Sequence, residues 1–97
     1  MPSEPLVELT LYVSATSAAS LRVRTLIERV LEEFDTSRVR LEVLDVARDV
    51  RRAEEDRVIF TPTLVKRRPA PPAWFVGEAG SQMVAVVLAS CGVERSR

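Results

Sequence analysis

From Val7 to Val13 the chain reads Val-Glu-Leu-Thr-Leu-Tyr-Val. Apolar and polar positions alternate before turning continuously apolar, the pattern of a strand entering a core. The small polar run Ser14 to Ser20 follows, in which Ser17 or Ser20 can accept a hydrogen bond from the free amides that open a helix. Leu21, Ile27, Val30, Leu31 and Phe34 then share a face at three- and four-residue spacings, with Leu26 beside them, while Arg22, Glu28, Arg29 and Glu32 lie largely elsewhere. This predicts an amphipathic helix packed on a sheet. Val39, Leu41, Val43, Leu44, Asp45 and Val46 read as a second strand, which makes a β-α-β unit with a right-handed parallel crossover.

Ala47 to Arg57 is strongly charged, with only Val50 and Ala53 as inward-facing candidates, and reads as a short solvated helix. Val58-Ile59-Phe60 leads into Thr61-Pro62-Thr63-Leu64-Val65. Proline fixes its own φ and pushes Thr61 toward an extended conformation, so a third strand is expected from Thr63. Lys66-Arg67-Arg68-Pro69-Ala70-Pro71-Pro72 joins charge to three prolines that cannot donate to a ladder, which predicts an exposed, stiff turn. Ala73-Trp74-Phe75-Val76 returns as a hairpin strand. Trp74 and Phe75 point to opposite faces, leaving one of them available for an oligomer or partner contact. Gly77 to Gly80 supplies a turn, and Ser81 or Gly80 is the expected cap of a last helix carrying Val84, Val87, Leu88 and Cys91 on one stripe, with Gly92 as its stop. The order β-α-β-α-β-β-α is an α/β, thioredoxin-like plan, followed by a short charged tail, Glu94 to Arg97.

Composition narrows the function. Ninety-seven residues, 46% hydrophobic, fit one domain spanning 1–97 with an ordered core from about residue 6 to 93. Fourteen basic and fourteen acidic residues cancel, so no whole-molecule field draws in a nucleic acid or a lipid surface. Met-Pro-Ser-Glu-Pro has no secretory pattern, and the longest apolar stretch, Met83 to Ala89, is far short of the ~20 residues a bilayer needs. A cytoplasmic protein with neither membrane nor nucleic-acid partners is expected. There is no histidine and one cysteine, which excludes an internal disulfide, a thiolate-rich zinc site and the commonest general base. No catalytic, cofactor-binding or metal residue is therefore assigned. Dithiol chemistry needs a low-pKa thiolate near the first helix, and Ser14 to Ser20 offer none. Cys91, on the apolar stripe of the last helix, reads as a packing residue.

Four segments resemble the KaiB family: Leu11-Tyr12-Val13, Ser20-Leu21-Arg22, Leu41 to Val46, and above all Ala53-Glu54-Glu55-Asp56-Arg57-Val58-Ile59-Phe60-Thr61-Pro62-Thr63-Leu64-Val65-Lys66. The turn prolines Pro69, Pro71 and Pro72 and the pair Gly77-Glu78 resemble the family more weakly, since turns recruit such residues generally. The resemblance covers about Leu9 to Val93. It implies a non-catalytic regulator that binds a KaiC-like hexameric ATPase and modulates its phosphorylation and ATPase cycle, with KaiA- or SasA-like proteins as further partners. Arg22, Thr61, Pro62, Thr63, Lys66, Arg67 and Arg68 are the implied partner-binding residues, including a sheet edge near Thr61 to Lys66. The Thr61-Pro62 bond stays open between trans, the rule for all but about 5–6% of such bonds, and the cis form of thioredoxin-like proteins.

The family is known for two folds of one sequence, a tetrameric ground state of order β-α-β-β-α-α-β and the thioredoxin-like state. Pro62, Pro69, Pro71, Pro72, Gly77, Leu88, Ala89 and Ser90 are the implied switch determinants. Where the family carries glycine-leucine-aspartate, this chain has Leu88-Ala89-Ser90. Leucine for glycine gains roughly 0.5–1 kcal/mol of helix propensity, so the thioredoxin-like ending is expected at rest. Monomer, dimer and tetramer all remain open. Two other readings are a degenerate thioredoxin-like redox or stress-related protein, which thiol titration would reveal, and a stand-alone SasA-type sensor domain, for which no kinase region follows in this sequence.

Overall fold

Strand β1 (Val7–Val13) lies inside a four-stranded sheet of order β2-β1-β3-β4, in the computed structural model that describes residues 5–96. Met1 to Glu4, on which the leader reading rests, and Arg97 of the tail lie outside the described residues. β2 (Val39–Asp45) runs parallel to β1, with Leu11 opposite Val43. β3 (Thr63–Arg68) runs antiparallel on the other side, with Leu11 opposite Leu64, and β4 (Ala73–Val76) closes the sheet antiparallel to β3. Three helices complete the predicted thioredoxin-like order: α1 (Ala18–Leu31), α2 (Val50–Glu55) and α3 (Ala79–Ser90).

Alternation along β1 divides the interior in two. Val7, Leu9 and Leu11 face α1 and α3 and join Val23, Ile27, Leu64, Val84, Val87 and Leu88 in the main core. Tyr12 faces the opposite side and packs with Val65 and Ala53 of α2. Six residues of α2 cover only part of that second face.

Several expectations need correcting. The inward face of α1 carries Ser20, Val23 and Ile27, with Val30, Leu31 and Phe34 packed on the core as expected, while Leu21 (66% exposed) and Leu26 (38%) turn outward. Ser17 caps α1 by accepting from the Ser20 amide at 3.2 Å, and the Ser20 hydroxyl accepts from the Ser14 amide at 3.1 Å. That second bond ties Ser20 inward and sets the rotation of the helix. Val50 is exposed, leaving Ala53 as the one buried residue of α2. Lys66, Arg67 and Arg68 belong to β3, so the proline turn is confined to residues 69–72. Neither Ser81 nor Gly80 caps α3. Glu78 holds that position without a side-chain cap bond, and Ser81 Oγ donates back to the Glu78 carbonyl at 2.9 Å. Gly80 is instead a close-approach position, where a Cβ would lie 3.1 Å from Leu64 Cβ. The tail is docked: the Asp35 amide donates to the Glu94 carbonyl at 2.7 Å, the Ser96 amide donates to Glu33, and the Arg95 guanidinium sits 4.7 Å from the centre of the Phe34 ring.

Candidate functional site

The start of β3, the end of β4 and the opening of α1 meet at one end of the sheet. There Arg22 Nη2 donates to Glu78 Oε1 at 2.9 Å, with both side chains more than half exposed. The Gly77 amide donates to the Pro62 carbonyl at 2.7 Å, and Thr63, itself buried, donates its hydroxyl to the Phe60 carbonyl at 2.6 Å. The Thr61-Pro62 peptide bond is cis, as are those preceding Pro69 and Pro71. The structure thus brings Arg22, Thr61, Pro62 and Thr63 together and adds Gly77 and Glu78 to them.

Lys66, Arg67 and Arg68 are not part of this cluster. Arg68 follows Thr63 by five strand residues, about 17 Å away at the usual rise. Arg67 forms an ion pair with Asp56 and donates from Nε to Thr10 Oγ1 at 2.7 Å, and Arg68 Nε lies 3.6 Å from Glu8 Oε2. These carboxylates offset the arginine charges of the run. The expected sheet edge near Thr61 to Lys66 is also absent, because β3 is paired on both sides. The free edges belong to β2 and β4. Leu88 is fully buried in α3, with Ala89 and Ser90 exposed beside it.

The partly covered face of the sheet holds a polar network that the motif reading missed. Tyr12 is fully buried, and its hydroxyl donates to the Asp56 carboxylate with the Arg52 carbonyl 3.0 Å away. Arg67 Nη1 reaches Asp56 Oδ1 at 3.2 Å, and the Arg52 guanidinium forks onto Glu42 at 2.7 and 3.2 Å. The Trp74 indole donates to the Asp56 carbonyl at 2.8 Å. Together these bonds tie α2 to the sheet. Burial, and then the hydrogen bond and charge of Asp56, push the Tyr12 phenol up to about 12. The hydrogen bonds from Arg52 hold the Glu42 carboxyl below its ordinary range, and the same pair raises the Arg52 guanidinium. Strand parity carried the available signal, since Thr10 and Tyr12 share a face of β1 opposite polar and apolar partners of β2.

The Val13 to Ser20 segment, where a thioredoxin-like fold would use a thiolate, offers hydroxyls only. The half-buried Cys91 caps the far end of α3, about 18 Å along the helix from Ala79. No helix among the described residues is long and apolar enough to cross a membrane.

Fold and site together define a thioredoxin-like domain whose first helix opens on serines. Its likeness to solved thioredoxins is one of fold: chloroplastic thioredoxin z matches with a TM-score of 0.75 at 19% identity, over 88% of this chain and 77% of that one. The N-terminal domain of SasA from Synechococcus elongatus matches with a TM-score of 0.76 at 26% identity, over 92% of this chain and 84% of that domain. The KaiB domain model matches residues 10–90, and the chain belongs to the KaiB family of circadian clock proteins. It is 36% identical to the circadian clock oscillator protein KaiB of Microcystis aeruginosa, over 72% of this chain and 67% of that protein. Circadian clock protein KaiB3 of a Synechocystis strain is 33% identical, over 72% of this chain and 69% of its own length.

Proposed function

We propose that the chain is a non-catalytic cytoplasmic regulator that binds a KaiC-like hexameric ATPase and modulates its phosphorylation and ATPase cycle. The observation that carries this reading is the helical C-terminal segment Ala79–Ser90, which sets Glu78 against Arg22 and Gly77 against Pro62. With that segment helical, Arg22, Thr61, Pro62 and Thr63 form one continuous end of the molecule, and these are the proposed contact residues. Lys66 and Arg68 contribute steering from a distance, while Arg67 serves chiefly to hold α2. KaiA- and SasA-like proteins are the further partners, meeting the chain on or beside the same ATPase. The Leu88-Ala89-Ser90 stretch keeps the thioredoxin-like form as the resting state, with the prolines and Gly77 at the junctions that any rearrangement would have to move.

The test is titration of a purified KaiC-type hexamer with the chain. Arg22→Ala is expected to weaken binding tenfold or more, the ordinary loss for an arginine interface anchor. Its thermal midpoint should stay within a few degrees of wild type, because an exposed pair such as Arg22–Glu78 contributes at most about 1 kcal/mol. No binding by wild type, or unchanged binding by the variant, would overturn this assignment. The likeness to the SasA domain supports a second reading, a stand-alone sensor domain. Following ATPase rate and phosphorylation during the titration separates the two, since a regulator changes them and a passive sensor does not.

A further inference from the structure

β4 ends the sheet with its outer side unpaired, and its sequence Ala-Trp-Phe-Val carries neither the charge, the proline nor the bulge by which edge strands usually resist pairing. The Gly77 amide donates inward to Pro62, so alternation along the strand points the amides and carbonyls of Phe75 and Ala73 inward as well. Those of Trp74 and Val76 point outward, away from β3.

The same edge is flanked by apolar surface. Ile59 (82% exposed), Phe60 (64%), Trp74 (47%) and Val76 (52%) line a shallow groove of about 410 Å³ together with Arg57, Val58 and Thr63. The Trp74 ring is already fixed by its bond to the Asp56 carbonyl, so little ordering is required of it on contact.

We infer that β4 is a homodimerisation edge, pairing antiparallel with β4 of a second copy across a two-fold axis at Phe75. A second copy fits because the strand is complementary to itself in this register. Trp74 lies opposite the partner's Val76 and Val76 opposite the partner's Trp74, an aromatic-to-β-branched pair on the groove side made twice. The outward backbone groups of residues 74 and 76 then close four hydrogen bonds, and two sheets of four strands become one of eight. The area agrees: the four exposed side chains offer about 450 Å² per copy, given 150–250 Å² for a large aromatic and somewhat less for the aliphatics. With the backbone edge added, the total approaches the roughly 1,000 Å² that a specific but weak interface requires.

Sedimentation equilibrium of the full chain from micromolar to millimolar concentration, with far-UV circular dichroism to verify one helical content throughout, tests this. A reversible dimer with a Kd in the range of about 10–100 μM is expected, as interfaces at this low end of size are weak. Trp74, the single tryptophan, should shift its emission to the blue as the dimer forms. Val76→Lys, which places a charge on the edge, should raise Kd at least tenfold, and the loop variant Ile59→Ser/Phe60→Ser should do the same without touching the strand. Arg24→Ala, on the far surface of α1, should leave Kd unchanged. A wild-type chain that remains monomeric at 1 mM, or a dimer equally tight in both edge variants, would overturn the inference. Pairing of β4 only with a strand of another protein would show itself as the first of these outcomes.

Discussion

Leu88→Gly is expected to lower the unfolding free energy by roughly 3–6 kcal/mol, while Ala89→Gly, one residue on, lowers it by only about 1 kcal/mol. Leu88 is fully buried between the sheet and α1, so its removal forfeits both the transfer of its side chain and the packing around the resulting cavity. Glycine then adds the backbone penalty that is the whole of the effect at exposed Ala89. For a domain of this size each kcal/mol moves the thermal midpoint by about 4–8 °C, so the two variants separate by about 8 °C at the least. Urea unfolding followed by far-UV circular dichroism measures both. The pair also bears on which ending the chain prefers at rest, because the resemblance to the family implies glycine where this chain has Leu88. A Leu88→Gly variant as mild as Ala89→Gly would place Leu88 outside the core and remove the argument for a helical resting state. A variant that folds but exchanges helix for strand over residues 84–90, seen in backbone chemical shifts, would instead identify Leu88 as the residue that decides between two packings.

The order of elements was legible because each has a period of its own: alternation in Val7 to Val13, helical spacing in Val84, Val87 and Leu88, and prolines that stop β3 before residue 69. Which way an element faces was less legible. The rotation of α1 follows from one hydrogen bond, Ser14 amide to Ser20 hydroxyl, and hydrophobicity alone favoured Leu21 over Val23. Sheet order was hidden as well. Sequence adjacency says nothing of β3 moving in beside β1, and it is this placement that leaves β4 rather than the Thr61 to Lys66 segment at the edge. The candidate site was half visible. Arg22 and the Thr61-Pro62-Thr63 block could be named from resemblance, but their meeting through Glu78 and Gly77 depends on α3 packing against α1. Arg67 looked like a free cation because Asp56, eleven residues earlier, comes beside it only once α2 has folded across the sheet.

That network makes the second large effect one of pH. Tyr12 is the only tyrosine, so absorbance near 295 nm reports its ionisation alone, and the midpoint in the folded protein should fall near 12 in place of the ordinary value of about 10. The phenol is raised on folding, so the stabilisation is complete below about pH 10, where both states hold the proton. Between about 10 and 12 the unfolded chain ionises while the folded one does not, so the unfolded state binds fewer protons and stability falls as pH rises. Two units correspond to a loss of about 2.7 kcal/mol across that window. Tyr12→Phe should lose about 1–2 kcal/mol at neutral pH through the missing hydrogen bond and should flatten the alkaline slope. The two proteins differ at this one side chain, so the difference between wild type and Tyr12→Phe isolates the phenol. A phenolate midpoint near 10, or an unchanged slope in the variant, would mean that the hydroxyl is open to water and that α2 is not held against the sheet through Asp56. Since the Trp74 indole hangs on that same aspartate's carbonyl, loosening α2 at high pH should also release Trp74 and shift its emission to the red, carrying the state of the buried network out to the β4 edge.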